Sequence, residues 1–159
     1  MLVRRAESED AGAMALIVAA VAQEGSLGAE PPVDVEARAR RFREWMAEGG
    51  HTASWVLEDG NLVLGYAGVR ERTTGVLHLG MAILPEGRGR GGGRALLDAM
   101  AEHARASGAH KLELEVWTDN ARAIALYVSA GFEVEGMRRN HYRRRDGSLR
   151  SALVMARLL

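Results

Sequence analysis

The chain has 159 residues, no cysteine, and 21 Lys and Arg set against 21 Asp and Glu. That length suits one domain, residues 1–159, able to bury about two thirds of its unfolded surface without covalent staples. The missing cysteines exclude a disulfide framework, a thiolate zinc site and a cysteine nucleophile, and the balanced charge gives no overall field toward nucleic acid or membrane.

The amino terminus lacks the apolar run of a signal peptide. The most apolar helical stretch, Ala11 to Ala22, is about a dozen residues where a membrane span needs roughly twenty. A soluble, cytoplasmic protein is expected, with no nucleic-acid or membrane partner and no metal.

In chain order, Leu2 to Arg5 reads as a short strand. Ser8 occupies an N-cap position ahead of a helix running to about Gln23, with Met14, Leu16, Ile17 and Val21 as its core face. Gly25, Gly28 and Pro31-Pro32 make a loop, and Asp34 caps a second helix carrying Ala37, Phe42 and Trp45 at helical spacing. Thr52 to Glu58 and Leu62 to Glu71 form a hairpin about Asp59-Gly60-Asn61, and a third strand runs from Val76 to Leu84, stopped by Pro85. Arg94 to Arg105 is helical. Leu112, Leu114 and Val116 alternate with Glu113, Glu115 and Trp117 as a strand with two unlike faces. Asp119 or Asn120 opens a helix that ends at Gly131, and Phe132–Met137 and Leu149–Leu158 are the last strands. The fold class is α/β: one mixed, mostly antiparallel sheet of about seven strands, flanked by about four helices.

The turn after the third strand carries five glycines in seven residues, Gly87 to Gly93, with Arg88, Arg90 and Arg94 among them. Glycine lets backbone amides approach a ligand closely, and a helix that starts straight afterwards adds free N–H groups and a positive dipole end, an arrangement suited to phosphate oxygens. Arginines add charge where the anion would sit. A nucleotide P-loop needs Lys then Ser or Thr, where this chain has Arg94-Ala95. Gly87, Gly89 and Gly92 satisfy the dinucleotide pattern, with Glu113 about twenty residues on, but the loop follows antiparallel strands in mid-chain instead of opening a βαβ half.

Arg88-Gly-Arg-Gly91-Gly-Gly93 also matches the R/Q-x-x-G-x-G/A loop of the GNAT acetyltransferases. Ile83-Leu84-Pro85 ahead of it looks like the end of that family's preceding strand, and Leu114-Glu115-Val116, Asn120 to Tyr127 and Gly131-Phe132, in order, resemble its second signature segment. The resemblance covers about Val76 to Gly136. It implies two central parallel strands that splay apart and an acetyl-CoA cosubstrate. Backbone groups of Met81, Ala82 and Ile83 would line the pantetheine arm. Arg88, Gly89, Arg90, Gly91, Gly92, Gly93 and Arg94 would hold the pyrophosphate, and Asn120 would touch the arm, although a helix cap accounts for it equally.

The same resemblance implies acetyl transfer to a primary amine by direct attack, with Tyr127 as the acid for the departing thiolate. The layout from Leu114 to Tyr127 is similar to that of bacterial ribosomal-protein N-terminal acetyltransferases, which makes Glu115 the candidate base, acting through water. His78 has a suitable pKa and competes, with Glu71 as a third option. The stretch from Gly136 to Met155 resembles subfamilies acting on amino acids, phosphinothricin-like compounds or ribosomal-protein amino termini, with Ser151 where an aspartate is frequent. The acceptor is thus a small-molecule amine, an amino acid or a peptide N-terminus. A second arginine cluster, Arg138, Arg139, Arg143, Arg144 and Arg145, is expected in the loop between the last strands, facing an acidic acceptor, solvent or a second copy; homodimers are common in the family. Two other readings stand beside the enzyme: a non-catalytic acetyl-CoA-binding sensor and a dinucleotide-binding protein.

Overall fold

The computed structural model describes residues 1–159. One seven-stranded sheet runs in the order β1-β2-β3-β4-β5-β7-β6, built from β1 (Leu2–Arg5), β2 (Ala53–Asp59), β3 (Leu62–Thr73), β4 (Val76–Ile83), β5 (Lys111–Trp117), β6 (Glu133–Arg143) and β7 (Leu149–Leu158). Every pairing is antiparallel except β4 with β5. Four helices flank it: α1 (Ala11–Ala22), α2 (Val35–Glu48), α3 (Gly92–Ala106) and α4 (Ala121–Ser129). No helix is long and apolar enough to cross a membrane.

Alternation along the strands sorts the side chains to two faces. Trp55, Val69, Leu77, Leu112 and Met155 join Leu96, Leu97 and Met100 of α3 in the larger core, on which α4 also lies. Val56 and Tyr66 face the other way, against Met14 and Val18 of α1 and Phe42 of α2. Leu16 is 60% exposed, against expectation. At 100° per residue it falls opposite the face that buries Met14, Ala15, Val18 and Ala22. Ser8 is not the cap either. Asp10 stands at that position without capping α1 through its side chain, which turns back to accept the Glu7 N–H at 2.7 Å while Arg4 holds its carboxylate at 2.7 and 2.9 Å. Asp34 does cap α2, accepting from the Ala37 N–H at 2.9 Å.

The parallel pair positions the site. β4 and β5 are in register for only three residues, Val76–Lys111 to His78–Glu113. Beyond them β4 stays with β3 as far as Ile83, and β5 stays with β7 as far as Trp117, so the sheet opens into a V. The Leu84 N–H bonds to Leu64 O at 2.8 Å, on the β3 side. Peptide groups alternate sides along a strand, so those of Ile83 and Met81 face the opening.

Candidate active site

The chain leaves β4 through one tight turn at Pro85–Gly87 and reverses at Gly89 (φ 71°) and Gly91 (φ 84°), conformations that favour glycine. α3 begins at Gly92, two residues before its expected start, because the turn at Gly91 has already set the helical direction. The first amide in this stretch to find an acceptor is that of Ala95, at 3.1 Å from Gly91 O. The six preceding N–H groups, Gly89 to Arg94, have no protein partner, and they sit at the positive end of a fifteen-residue helix. Such a cradle suits pyrophosphate oxygens. Gly93 serves close approach: a Cβ there would lie 2.9 Å from Leu126 and 3.6 Å from Met81. At Gly92 a Cβ would strike Leu57 at 2.4 Å, so that glycine lets the helix meet the sheet.

The arginines of this loop are engaged elsewhere. Arg88 donates to Ile83 O at 2.7 Å and to Glu24 at 2.8 Å, Arg90 pairs with Asp59 at 2.7 Å, and Arg94 bonds Asp98 and Ser129 O. What this loop offers an anion is therefore its backbone.

A cavity of about 880 Å³ runs through the V. Met81, Ala82, Ile83, Arg88, Gly89, Gly91, Gly93 and Asn120 all line it, together with Tyr127, Glu115, His78 and Glu71; Arg90, Gly92 and Arg94 lie off it. Asn120 caps α4, its side-chain oxygen accepting from the Ala123 N–H at 3.2 Å. Tyr127 is 8% exposed, its ring tilted against Phe132 at 5.8 Å, and it lines the cavity. Burial pushes its pKa up to about 12, with a smaller contribution from Tyr66, which burial raises likewise.

On the α1/α2 face, Glu115 forms an ion pair with Arg138, Nε to Oε1 3.0 Å, and accepts a hydrogen bond from the Tyr142 hydroxyl on its other oxygen. β7 lies between β5 and β6: Val154 is paired to Glu115 and Gly136, and the small Ala152, two residues away, to Trp117 and Arg138, so Arg138 reaches Glu115 diagonally. His78 Nδ1 is buried with no hydrogen bond and lies 3.7 Å from a Glu113 oxygen. A proton on Nδ1 would face that carboxylate, leaving Nε2 as the accepting nitrogen. Burial lowers the His78 pKa, Arg72 lowers it further, and Glu113 and Glu115 oppose them, so the ring is neutral at pH 7. The Glu71 carboxylate holds the Gly75 N–H at 2.7 Å and His51 at 3.1 Å, contacts that keep its pKa below the usual range.

A family profile described as the acetyltransferase (GNAT) family matches residues 19–132, well over half of the chain. The chain belongs to the GNAT family. The [ribosomal protein bS18]-alanine N-acetyltransferase of Escherichia coli strain K12 is 42% identical over 76 residues, 48% of this chain and 51% of that protein. The chain thus spans about half the length of that relative. An L-methionine sulfoximine/L-methionine sulfone acetyltransferase of Pseudomonas aeruginosa is 31% identical over 130 residues, covering 79% of this chain and 75% of that protein. The crystal structure of a ribosomal-protein-alanine N-acetyltransferase from Brucella melitensis superposes with a TM-score of 0.90 at 27% identity over 100% of both chains.

Within this GNAT site, sequence reasoning missed the partners of Glu115. Arg138 was expected in a loop, but β6 continues to Arg143, so most of the second arginine cluster lies on a strand. An edge strand exposed on both faces tolerates arginine, and the run looked like a loop for that reason. A bulge between Arg138 and Tyr142, with Asn140 at φ 48° and its N–H bonded to Ser151 Oγ at 2.9 Å, lies between the two residues that reach Glu115. Arg139, His141 and Arg143 are exposed and make no ion pair.

Proposed function

We propose that this chain, acting as one domain, transfers the acetyl group of acetyl-CoA to a primary amine. The observation that carries the reading is the continuity of the opening. Backbone N–H groups of Met81 and Ile83 that face the opening lead into six free amides from Gly89 to Arg94, along the cavity that Tyr127 also lines. The V accepts a pantetheine arm as a surrogate strand, and the amides take the pyrophosphate.

The amine nitrogen attacks the thioester carbonyl, a C–N bond forms, and the C–S bond breaks as the tetrahedral adduct collapses. The nitrogen must lose a proton and the sulfur must gain one. Tyr127, with its pKa near 12, does not give its proton outright to a thiolate, whose thiol ionises at about 8.5. It stabilises the sulfur by a hydrogen bond while charge builds and passes a proton to it while taking one from water, and the proton lost by the nitrogen returns to water through the base. For the nitrogen, one Glu115 oxygen accepts from Tyr142 and the other is paired with Arg138, whereas the lowered pKa of His78 leaves its ring neutral and able to accept. His78 takes the proton and Glu115 sets the electrostatics of the acceptor wall.

The acceptor belongs among small amines, amino acids and peptide amino termini, classes that include the substrates named for the relatives from Escherichia coli and Pseudomonas aeruginosa. Calorimetry with acetyl-CoA, followed by thiol release over a panel of amines, tests the reading. Binding together with amine-dependent thiol release is expected. Binding without turnover on any amine would favour a sensor, and preference for NADH over acetyl-CoA would overturn the assignment of the glycine loop.

A further inference from the structure

The loop between α1 and α2 walls the acceptor end of the cavity with Ser26, Leu27, Gly28 and Ala29. Short loops are usually solvated, with their carbonyls in water. Here four of those carbonyls are taken by side chains from the far end of the chain. Arg150 donates to Gly25 O at 2.6 Å, Trp117 Nε1 to Leu27 O at 3.1 Å, Arg144 to Gly28 O at 2.9 Å, and Arg145 to Pro31 O at 2.7 Å. Glu30 closes the set, accepting the Arg145 N–H at 3.0 Å and lying 3.6 Å from Arg144 Nε. The Arg144 and Arg150 guanidiniums lie 5.3 and 4.6 Å from the Trp117 ring centroid, which stiffens the clamp through cation–π contact.

Arg144 and Arg145 of the second cluster thus join the α1–α2 loop to the β6–β7 hairpin, tying together two parts of the cavity wall, Ser26 to Ala29 and Tyr142, from outside the lining. A polypeptide acceptor keeps about 3.3 Å of chain per residue behind its terminal amine and needs an open groove for it. The bonds from Arg144 to Gly28 O and from Arg145 to Pro31 O hold these two loops together and narrow the gap a chain would use. A free amine needs room only inside the cavity. We infer that the loop clamp restricts this enzyme to small free amines of amino-acid size and excludes polypeptide amino termini, with Arg144 and Arg145 as the specificity-determining residues. This rests on the acetyltransferase reading of the site.

The test uses the full chain with acetyl-CoA, the twenty free L-amino acids plus L-methionine sulfone, and hexapeptides beginning with the same residues. The expected result is a kcat/KM for the best free amino acid at least tenfold above that of its matched hexapeptide. The double variant R144A/R145A should shrink that ratio at least fivefold by raising turnover of the peptide. A purely structural role would lower both acceptors together and leave the ratio unmoved, which overturns the inference. If the variant does not fold, the wild-type ratio decides by itself: hexapeptides equal to or better than free amino acids sink the clamp while leaving acetyl transfer intact. Acetyl-CoA binding with no acceptor of either size turned over removes the enzymatic reading, and the inference with it.

Discussion

The two arginine clusters look alike in the sequence and work in opposite ways. In the loop after β4, Arg88, Arg90 and Arg94 turn to Glu24, Asp59 and Asp98, and the peptide backbone is left to receive an anion. In the C-terminal hairpin it is the side chains that reach out: Arg138 to Glu115, and Arg144 and Arg145 to the α1–α2 loop, which we propose as the acceptor wall and its clamp. On the proposed reading the donor half of the site is thus made of main chain, which any sequence with the right glycines can supply. The acceptor half is made of side chains, which substitution can retune.

The largest effect expected from this contrast is at Gly93. A valine there adds a branched side chain where even a Cβ meets Leu126 at 2.9 Å and approaches Met81 and Ile83, so it fills the V. Gly93→Val should weaken acetyl-CoA binding by about a hundredfold or more, roughly 2.7 kcal/mol, with circular dichroism and thermal melting checking that the fold survives. Binding by calorimetry within tenfold of wild type would mean the cosubstrate does not run past α3. Next is Tyr127→Phe, which should lower kcat at least tenfold with little change in acetyl-CoA affinity, about 1.4 kcal/mol lost in the transition state alone. Unchanged turnover would remove Tyr127 from the chemistry and leave it a core residue beside Phe132.

This division also explains what could be read from residues alone. The strands and helices followed from periodicity, and the V followed from the family resemblance of the glycine loop and the Asn120-to-Tyr127 segment. Their chemistry is local: a glycine at φ 84°, a capping asparagine and a helix start are each fixed by a few neighbours in the chain. The acceptor wall was not legible. Glu115 meets Tyr142 across 27 residues, and Arg145 meets Pro31 across 114. Nothing in an arginine's neighbours says which distant carbonyl or carboxylate it will find. The exposed Leu16 failed for a different reason: in so apolar a helix the composition marks no outer face, and only the angular position does.

His78 sharpens the comparison on the acceptor side through pH. Its pKa is lowered in the folded protein, and a base must be neutral to accept a proton, so the acid limb of kcat/KM should fall below the free-imidazole value of about 6.5. His78→Gln should reduce the rate severalfold and abolish that limb, and Glu115→Gln should move it downward, because the carboxylate favours the protonated ring. An unaltered limb in His78→Gln would return the base to Glu115.

Arg90→Ala should do least. If the first cluster bound the pyrophosphate by charge, removing one guanidinium would weaken acetyl-CoA severalfold and make its affinity less sensitive to salt. Arg90 instead reaches away from the cavity to an exposed carboxylate, Asp59, whose pKa that contact lowers. Exposed pairs of this kind contribute little in water. The dissociation constant, measured at two ionic strengths, should stay within about twofold of wild type, and the salt dependence should be unchanged. A loss of tenfold or more would show that the guanidinium leaves Asp59 when the cosubstrate arrives, and the donor half would then depend on side chains as the acceptor half does.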